Sequence, residues 1–355
     1  MSAAFDRDVW AIFGMPIDNV SLDEAARLVE RAVETRERLS FVTPNVNWMV
    51  RALKQPDAMR QIVDADLSLA DGAPVVWLAR KLGIPLQERV AGADLFERLR
   101  RDAGEAQLPI RIFFFGGREG AAERAHQALA EEQGRLVAAG WHSPGFGDVD
   151  SMSSTEIVDK INAAKPDFVL VSLGAVKGQA WIERNQPRLE APVIAHLGAV
   201  MNFVAGTVRR APAWMSKSGL EWFWRVLAEP SLWQRYWRDG RALLQLMRRR
   251  LTPLREAAKA ERAVGSLSGA IDGLALKLTG DLTVQQGETL RGQFKEFAQI
   301  DGNLTLDLNQ MDAIDAFGFG QIRMLEQVAR KRGNRVHIKV SPPFEPAFAA
   351  ANMTA

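Results

Sequence analysis

Between residues 20 and 208, short apolar runs alternate with amphipathic stretches. Asp23 to Arg38 places Ala26, Val29 and Val33 on one side of a helix, and Ser21 stands three residues before Glu24 as in a capping box. Leu39 to Val42 follows as a short apolar run ending in the turn-prone Thr43-Pro44-Asn45. Leu67 to Ala70 is a second run, ending at Asp71-Gly72. Arg111 to Phe115 stops at Gly116-Gly117, and an alanine-rich helix is predicted from Glu119 to Gly134. Strands at Phe168 to Leu173 and Val193 to Leu197 stop at Gly174 and Gly198. This rhythm predicts an α/β fold with a largely parallel sheet and helices on its faces. Ligands of such sheets bind beyond the carboxyl ends of the strands, so the polar residues that end each run are the candidates.

From Arg209 the pattern changes. Residues 209–250 hold ten Arg or Lys against three acids, five tryptophans and the single tyrosine of the chain. Leu220, Phe223, Trp224 and Leu227 share one helical face; Pro230 interrupts; Trp233, Tyr236, Trp237, Leu243, Leu244 and Met247 share the next. A basic helix with aromatic residues fits a membrane interface, and the same tryptophans could instead pack on the first domain. Ser266 to Gly269 lies in a small-residue linker. Strands are predicted at Leu274 to Leu278, Leu304 to Leu308 and Val336 to Val340, and helices at Thr289 to Phe297 and Gly320 to Lys331. The expected organisation is a first domain over 1–208, a basic amphipathic appendage over 209–255, a linker over 256–269, a second small domain over 270–345 and a frayed tail over 346–355.

Composition narrows the classes. The 355 residues are 47% hydrophobic, which suits folded globular protein. With no cysteine there is neither a disulfide nor a thiolate nucleophile, as in a reducing compartment. The charged N-terminus does not read as a signal peptide, and no apolar run of about 18 residues predicts a spanning helix. A net charge of +2 does not indicate a diffuse nucleic-acid footprint, and no nucleic-acid partner is expected.

Several strand ends carry chemistry. Asp71 can act as a general base, or cap the helix that follows. Thr43, Asn45 and Asn47 can bind sugar hydroxyls or a phosphate, or satisfy a turn. Gly116-Gly117 makes a close-approach turn able to hold a diphosphate, without a Walker lysine or a GxGxxG run. His142 lies in the glycine-rich Trp141-His142-Ser143-Pro144-Gly145-Phe146-Gly147 loop. His196, at a strand end, is a minor candidate, and His126 and His337 read as surface or packing residues. The four histidines lack metal-ligand spacing, so neither a metal site nor a cofactor is expected.

Residues 10 to 250 resemble the WecG/TagA/CpsF family of glycosyltransferases. The matching pieces are Gly14-Met15-Pro16-Ile17-Asp18, Thr43-Pro44-Asn45, Ala70-Asp71-Gly72-Ala73-Pro74 and Arg89-Val90-Ala91-Gly92-Ala93-Asp94-Leu95. Phe115-Gly116-Gly117, His142 to Phe146, Leu173-Gly174, Gly206 to Trp214 and Gly219 to Trp222 continue the series in order. The resemblance implies transfer of a sugar from a UDP-sugar to a polyprenyl-diphosphate-linked acceptor, with inversion. It implies Asp71 as the base, Thr43 beside it, Arg89 facing a diphosphate, and Gly92 and Asp94 in the adjoining loop. Arg209 and Arg210 would be arginines that the appendage brings near the site. It further implies a cytoplasmic protein held peripherally on the anionic inner face of the bacterial cytoplasmic membrane.

Two departures stand out. The family's Pro-Lys-Gln-Glu-like run reads Val176-Lys177-Gly178-Gln179, and its frequent aspartate is Asn202. Lys177, Gln179 and Asn202 remain candidates for the nucleotide side. The same departures admit an alternative, a catalytically weakened scaffold of a polysaccharide-synthesis complex. Residues 270 to 345 resemble a STAS domain through Leu278 to Thr283, Leu306-Asp307-Leu308 and Ile314 to Gly320. Ala316 and Phe317 fill the positions where that family has serines, so no phosphoserine switch is expected there, and the domain would bind a protein partner. The expected fold class is thus α/β: a Rossmann-like, largely parallel sheet with a helical C-terminal appendage, plus a small α/β STAS-like domain.

Overall fold

The computed structural model describes residues 2–101, 108–208, 211, 212, 215, 221–228, 230, 232–259 and 265–353. Strands β1 (Val9–Ile12) and β2 (Met15–Asp18) form a hairpin, followed by α1 (Leu22–Thr35), β3 (Leu39–Val42), α2 (Val46–Ala52), α3 (Pro56–Asp64), β4 (Leu67–Ser68), α4 (Ala73–Lys81) and α5 (Gly92–Arg101). Next come β5 (Ile110–Gly116), α6 (Ala121–Ala130), β6 (Leu136–His142), α7 (Thr155–Ala163), β7 (Phe168–Ser172), α8 (Ala175–Asn185), β8 (Val193–His196) and α9 (Gly198–Val204). The basic segment gives α10 (Glu221–Ala228) and the 27-residue α11 (Leu232–Ala258). The last part is β9 (Leu267–Asp272), β10 (Ala275–Leu282), α12 (Gly287–Phe297), β11 (Leu304–Ile314), α13 (Ala316–Lys331), β12 (Val336–Val340) and α14 (Glu345–Ala350).

The central sheet has the order β4-β3-β8-β7-β5-β6, and all its pairings are parallel. The period of two along β5 decides its faces. Ile112 and Phe114 join one core with α1, α5, α6 and α9, and Phe113 and Phe115 join another with α7 and α8. The Ser21/Glu24 capping box starts α1, as the spacing predicts.

The N-terminal hairpin carries no Asn-Gly or Asp-Gly signal. Its turn residues Phe13 and Gly14 both have positive φ, 52° and 80°. A two-residue hairpin turn of this kind needs that conformation twice, and burial of Phe13 offsets its strain. Gly14 has no alternative, because a Cβ there would sit 1.6 Å from the carbonyl oxygen of Ala351.

Residues 265–353 form a second sheet, β12-β11-β10-β9, with β9 antiparallel to β10 and the other pairs parallel. Its hydrophobic core is continuous with the hairpin, α2, α3 and α4. Helix α13 is buried along most of its length, and its polar side chains bond to carbonyls of the first part of the chain. Gln321 donates to Val9, Arg323 Nε to Gly14 at 2.8 Å and Gln327 to Ala65 at 2.9 Å. Arg323 Nη2 also donates to the carbonyls of Ala351 and Asn352. The frayed tail expected over 346–355 is corrected for its described residues. Phe348, Ala351 and Met353 are buried, and Phe348 meets Phe319 edge-on at 5.0 Å. The pattern Phe348, Ala351 is too short to show a helical period, which is why the sequence reads as a tail.

Helix α11 divides in two. Leu243, Leu246, Met247 and Leu251 pack against the shared core, Leu254 and Ala257 are buried in it, and Arg250 donates to the carbonyls of Ala349 and Ala350. Trp233 and Trp237, on the first turns, are 54% and 60% exposed, and their rings lie 6.3 Å apart. Trp222, Phe223 and Leu227 of α10 are also exposed. No helix among the described residues is long and apolar enough to cross a membrane.

Candidate active site

Three loops meet at the carboxyl ends of β3 and β4. The backbone N–H of Asp71 donates to the carbonyl of Pro44 at 3.1 Å, and that of Val90 to Ala70 at 3.0 Å. These bonds join the loops after β3, after β4 and before α5. A Cβ at Gly92 would lie 2.4 Å from Leu197 Cδ2 and 3.4 Å from Thr43 Cγ2. The start of α5 therefore sits directly over the ends of β3 and β8.

Within this junction Arg89 Nη2 pairs with Asp94 Oδ2 at 2.5 Å, and Arg89 Nη1 lies 3.9 Å from Asp71 Oδ1. All three are partly exposed. One guanidinium thus stands between two carboxylates, with Thr43 beside them. Asp71 does not cap α4: Gly72 is the N-cap residue and no side chain accepts there. The carboxylate is partly exposed at the carboxyl end of β4.

The neighbouring asparagines are engaged. Asn45 caps α2, its side chain accepting from the N–H of Trp48 at 3.2 Å. Asn47 Nδ2 donates to both oxygens of buried Asp239 on α11, at 3.3 and 3.2 Å. Asn47 therefore ties the appendage to the first turn of α2.

Gly116 and Gly117 end β5 with φ of 94° and 85°. The N–H of Gly117 already donates to Ser172 at 2.6 Å, so the turn is closed onto β7. Lys177 Nζ reaches back to the carbonyl of Gly147 at 2.6 Å, which pins α8 to the glycine-rich loop. Gln179 is buried and lines a cavity of about 380 Å³ with Ser40, Arg60 and Asp64, beside the start of β3 rather than its end. The Asn202 carbonyl accepts from Thr207 and Val208 and closes the end of α9. Arg209 and Arg210 lie outside the described residues.

His142 ends β6, the edge strand farthest from β4. Five strand spacings of about 4.8 Å put it about 24 Å from Asp71 across the sheet, so the two do not act on one atom. Its ring stacks on Phe115, and burial together with nearby Lys160 lowers its pKa. Linear sequence gives no access to this separation, because strand order is not chain order. Among the described residues no three His, Cys, Asp or Glu side chains cluster as metal ligands.

Two residues at the crevice emerge from the fold rather than from the motifs. Arg51 on α2 lies over the Trp48 ring, 4.8 Å from its centroid, with Nε and Nη2 buried and unpartnered. His196 at the end of β8 has a buried, unpartnered Nε2 and a pKa lowered to about 4, by burial first and by the charge of Arg51 second. The strand-end position of His196 was a signal in the sequence; Arg51 had none.

Comparison with known proteins gives the family. The chain is 32% identical over 197 residues to an N-acetylglucosaminyldiphosphoundecaprenol N-acetyl-beta-D-mannosaminyltransferase of Bacillus spizizenii, covering 55% of this chain and 73% of that protein. It is 29% identical over 218 residues to the enzyme of that name from Bacillus subtilis, covering 61% and 79%. It is 26% identical over 226 residues to the one from Staphylococcus aureus, covering 63% and 85%. Residues 10–256, which hold the parallel sheet, the Asp71–Arg89–Asp94 junction and α11, match the glycosyl transferase WecG/TagA/CpsF family, and the chain belongs to it.

Proposed function

We propose that this glycosyltransferase moves a sugar, with inversion, from a UDP-sugar to an acceptor carried on a polyprenyl diphosphate. The relatives are named for an undecaprenyl-diphosphate-linked acceptor, which supports that class here. The observation that carries the reading is Asp71 at the carboxyl end of β4, 3.9 Å from Arg89. In this reading the acceptor hydroxyl gives its proton to Asp71 as its oxygen bonds to the anomeric carbon. The bond from that carbon to the UDP oxygen breaks, and the electron pair leaves with UDP. Arg89 supplies positive charge where the diphosphate of donor or lipid lies, and Asp94 fixes its orientation. Thr43 positions the attacking group. Inversion follows from one displacement on one face.

The exposed aromatic face of α10 and the first turns of α11, with Arg235, Arg238 and Arg241, we read as the attachment to an anionic membrane surface on the cytoplasmic side. Each basic residue near anionic lipid contributes about 1 kcal/mol. Residues 270–345 we read as STAS-like. Asp315 caps α13, accepting from Gly318 and Val284, at the place where that family carries its switch. The departures at Gly178, Gln179 and Asn202 support the second reading, a weakened scaffold.

The test is UDP release by purified protein given a polyprenyl-diphosphate glycolipid in vesicles and a panel of UDP-sugars. Turnover that Asp71→Asn abolishes in a folded protein supports the enzyme. Normal turnover in Asp71→Asn overturns the assignment of the base, and no UDP-sugar bound across the panel favours the scaffold.

A further inference from the structure

Gly178 and His196 share one volume. A Cβ on residue 178 would lie 2.2 Å from His196 Cδ2 and 3.0 Å from Nε2. The imidazole thus stands where a side chain of the family's glutamine would begin, and the glycine and histidine are a matched pair. A Cβ on Gly198 would be 3.6 Å from His196 Nε2 and 3.7 Å from Ser172 Oγ. The ring edge, this hydroxyl and the start of α9 therefore converge at the carboxyl ends of β7 and β8, inside the crevice where a doubly wound sheet binds its ligand.

Helix α2 carries Arg51, whose guanidinium is near enough for its charge to act on the imidazole. Two of its nitrogens are buried without a hydrogen-bond partner, as is His196 Nε2. Arg51 as a whole is half-buried, and two guanidinium nitrogens shielded from water without a partner are groups that a ligand can complete. Of the groups around the imidazole, Gly178 brings no side chain, Ser172 is neutral and Arg51 is the charge that acts on it. Among the described residues nothing anionic answers either group.

We propose that Arg51 and His196 together bind one oxyanion of the substrate, a diphosphate oxygen of the nucleotide or a carboxylate borne by the sugar. This rests on reading the crevice as the donor site. The subsite lies on β8, between Asp71 on the β4 side and the Gly116-Gly117 turn on β5, so either group of a sugar nucleotide can reach it. Arg51 offers a fixed fork of N–H donors, and His196 adds a donor that gains its proton as the anion arrives.

The experiment follows the His196 ring by NMR in the full chain, assigned by its loss in His196→Gln, while inorganic pyrophosphate, UDP and UDP-glucuronate are titrated in separately. Binding raises the His196 pKa from about 4 by a unit or more. Arg51→Met removes that shift and weakens binding at least tenfold. The melting temperature of the free protein should hold, which separates lost binding from lost folding. A response to pyrophosphate and UDP assigns the diphosphate; a response to UDP-glucuronate alone assigns the carboxylate. Pyrophosphate binding without UDP binding keeps the subsite and rejects the donor-site reading. If no probe moves the His196 resonance, or each moves it equally in Arg51→Met, the proposal is wrong. Gly178→Ser provides a second variant: it displaces the imidazole and reduces anion binding, and combining it with His196→Ala relieves the overlap without restoring binding.

Discussion

The side-chain amide of Asn47 donates to both carboxylate oxygens of Asp239, at 3.3 and 3.2 Å, and joins the first turn of α2 to the basic helix α11. Asp239 is buried, so removing its partner leaves a carboxylate without that compensation. Asn47→Ala and Asp239→Ala are each expected to cost about 1–3 kcal/mol in urea unfolding. Their double variant should lose less than the sum. Faster hydrogen exchange over 232–242 in either variant would report release of the helix.

Asp71→Asn keeps the volume and removes the base. It should lower kcat by about 10²–10⁴-fold with the melting temperature little changed. Arg89→Lys, which loses the fork holding Asp94, should lower kcat/KM less. Steady-state UDP release measures both.

His196 makes the fold sensitive to mild acid. Its pKa is about 4 in the folded protein against 6.5 for the free side chain, so the unfolded chain takes up the proton first. The contribution is fully present above about pH 6.5 and is lost as pH falls towards 4, by up to about 3 kcal/mol. Denaturant unfolding at pH 7 and pH 4.5 should show the loss, and His196→Gln should remove most of it.

Arg323 joins α13 to the hairpin turn and the C-terminal residues. Arg323→Met should cost about 3–5 kcal/mol, since three carbonyls lose their donor. Because the core is continuous, calorimetry should show one transition for the hairpin and residues 265–353. Two separate transitions in the parent protein would contradict that picture.

For membrane attachment, Trp233→Ser with Trp237→Ser should reduce binding to anionic vesicles at least tenfold in cosedimentation, because both rings are exposed in the free protein. The melting temperature should hold. Binding that survives the double change would place the attachment elsewhere.

Chain order and side-chain pattern determined the elements. Apolar periods of 2 and 3.6 are local, and they marked α1, β3, β5, β7 and β8, and β10, β11 and β12 of the second sheet; β9 (Leu267–Asp272) instead begins inside the expected linker over 256–269, because its small residues form no apolar run. The periods also marked the strand ends that carry Thr43 and Asp71, whereas Arg89 came only from the family resemblance. The tertiary structure decided what each face meets. It closed Phe13-Gly14 into a hairpin under α13, buried Phe348 and Met353, and engaged Asn47 with a residue 192 positions away. It put His142 on the far edge of the sheet, set the His196 ring in the space that Gly178 leaves open, and brought the charge of Arg51 to bear on that ring. Periodicity says that a side chain is buried, but a pairing across the fold is fixed by strand order and by the shape of the packed neighbours, and neither is written in any short stretch of chain.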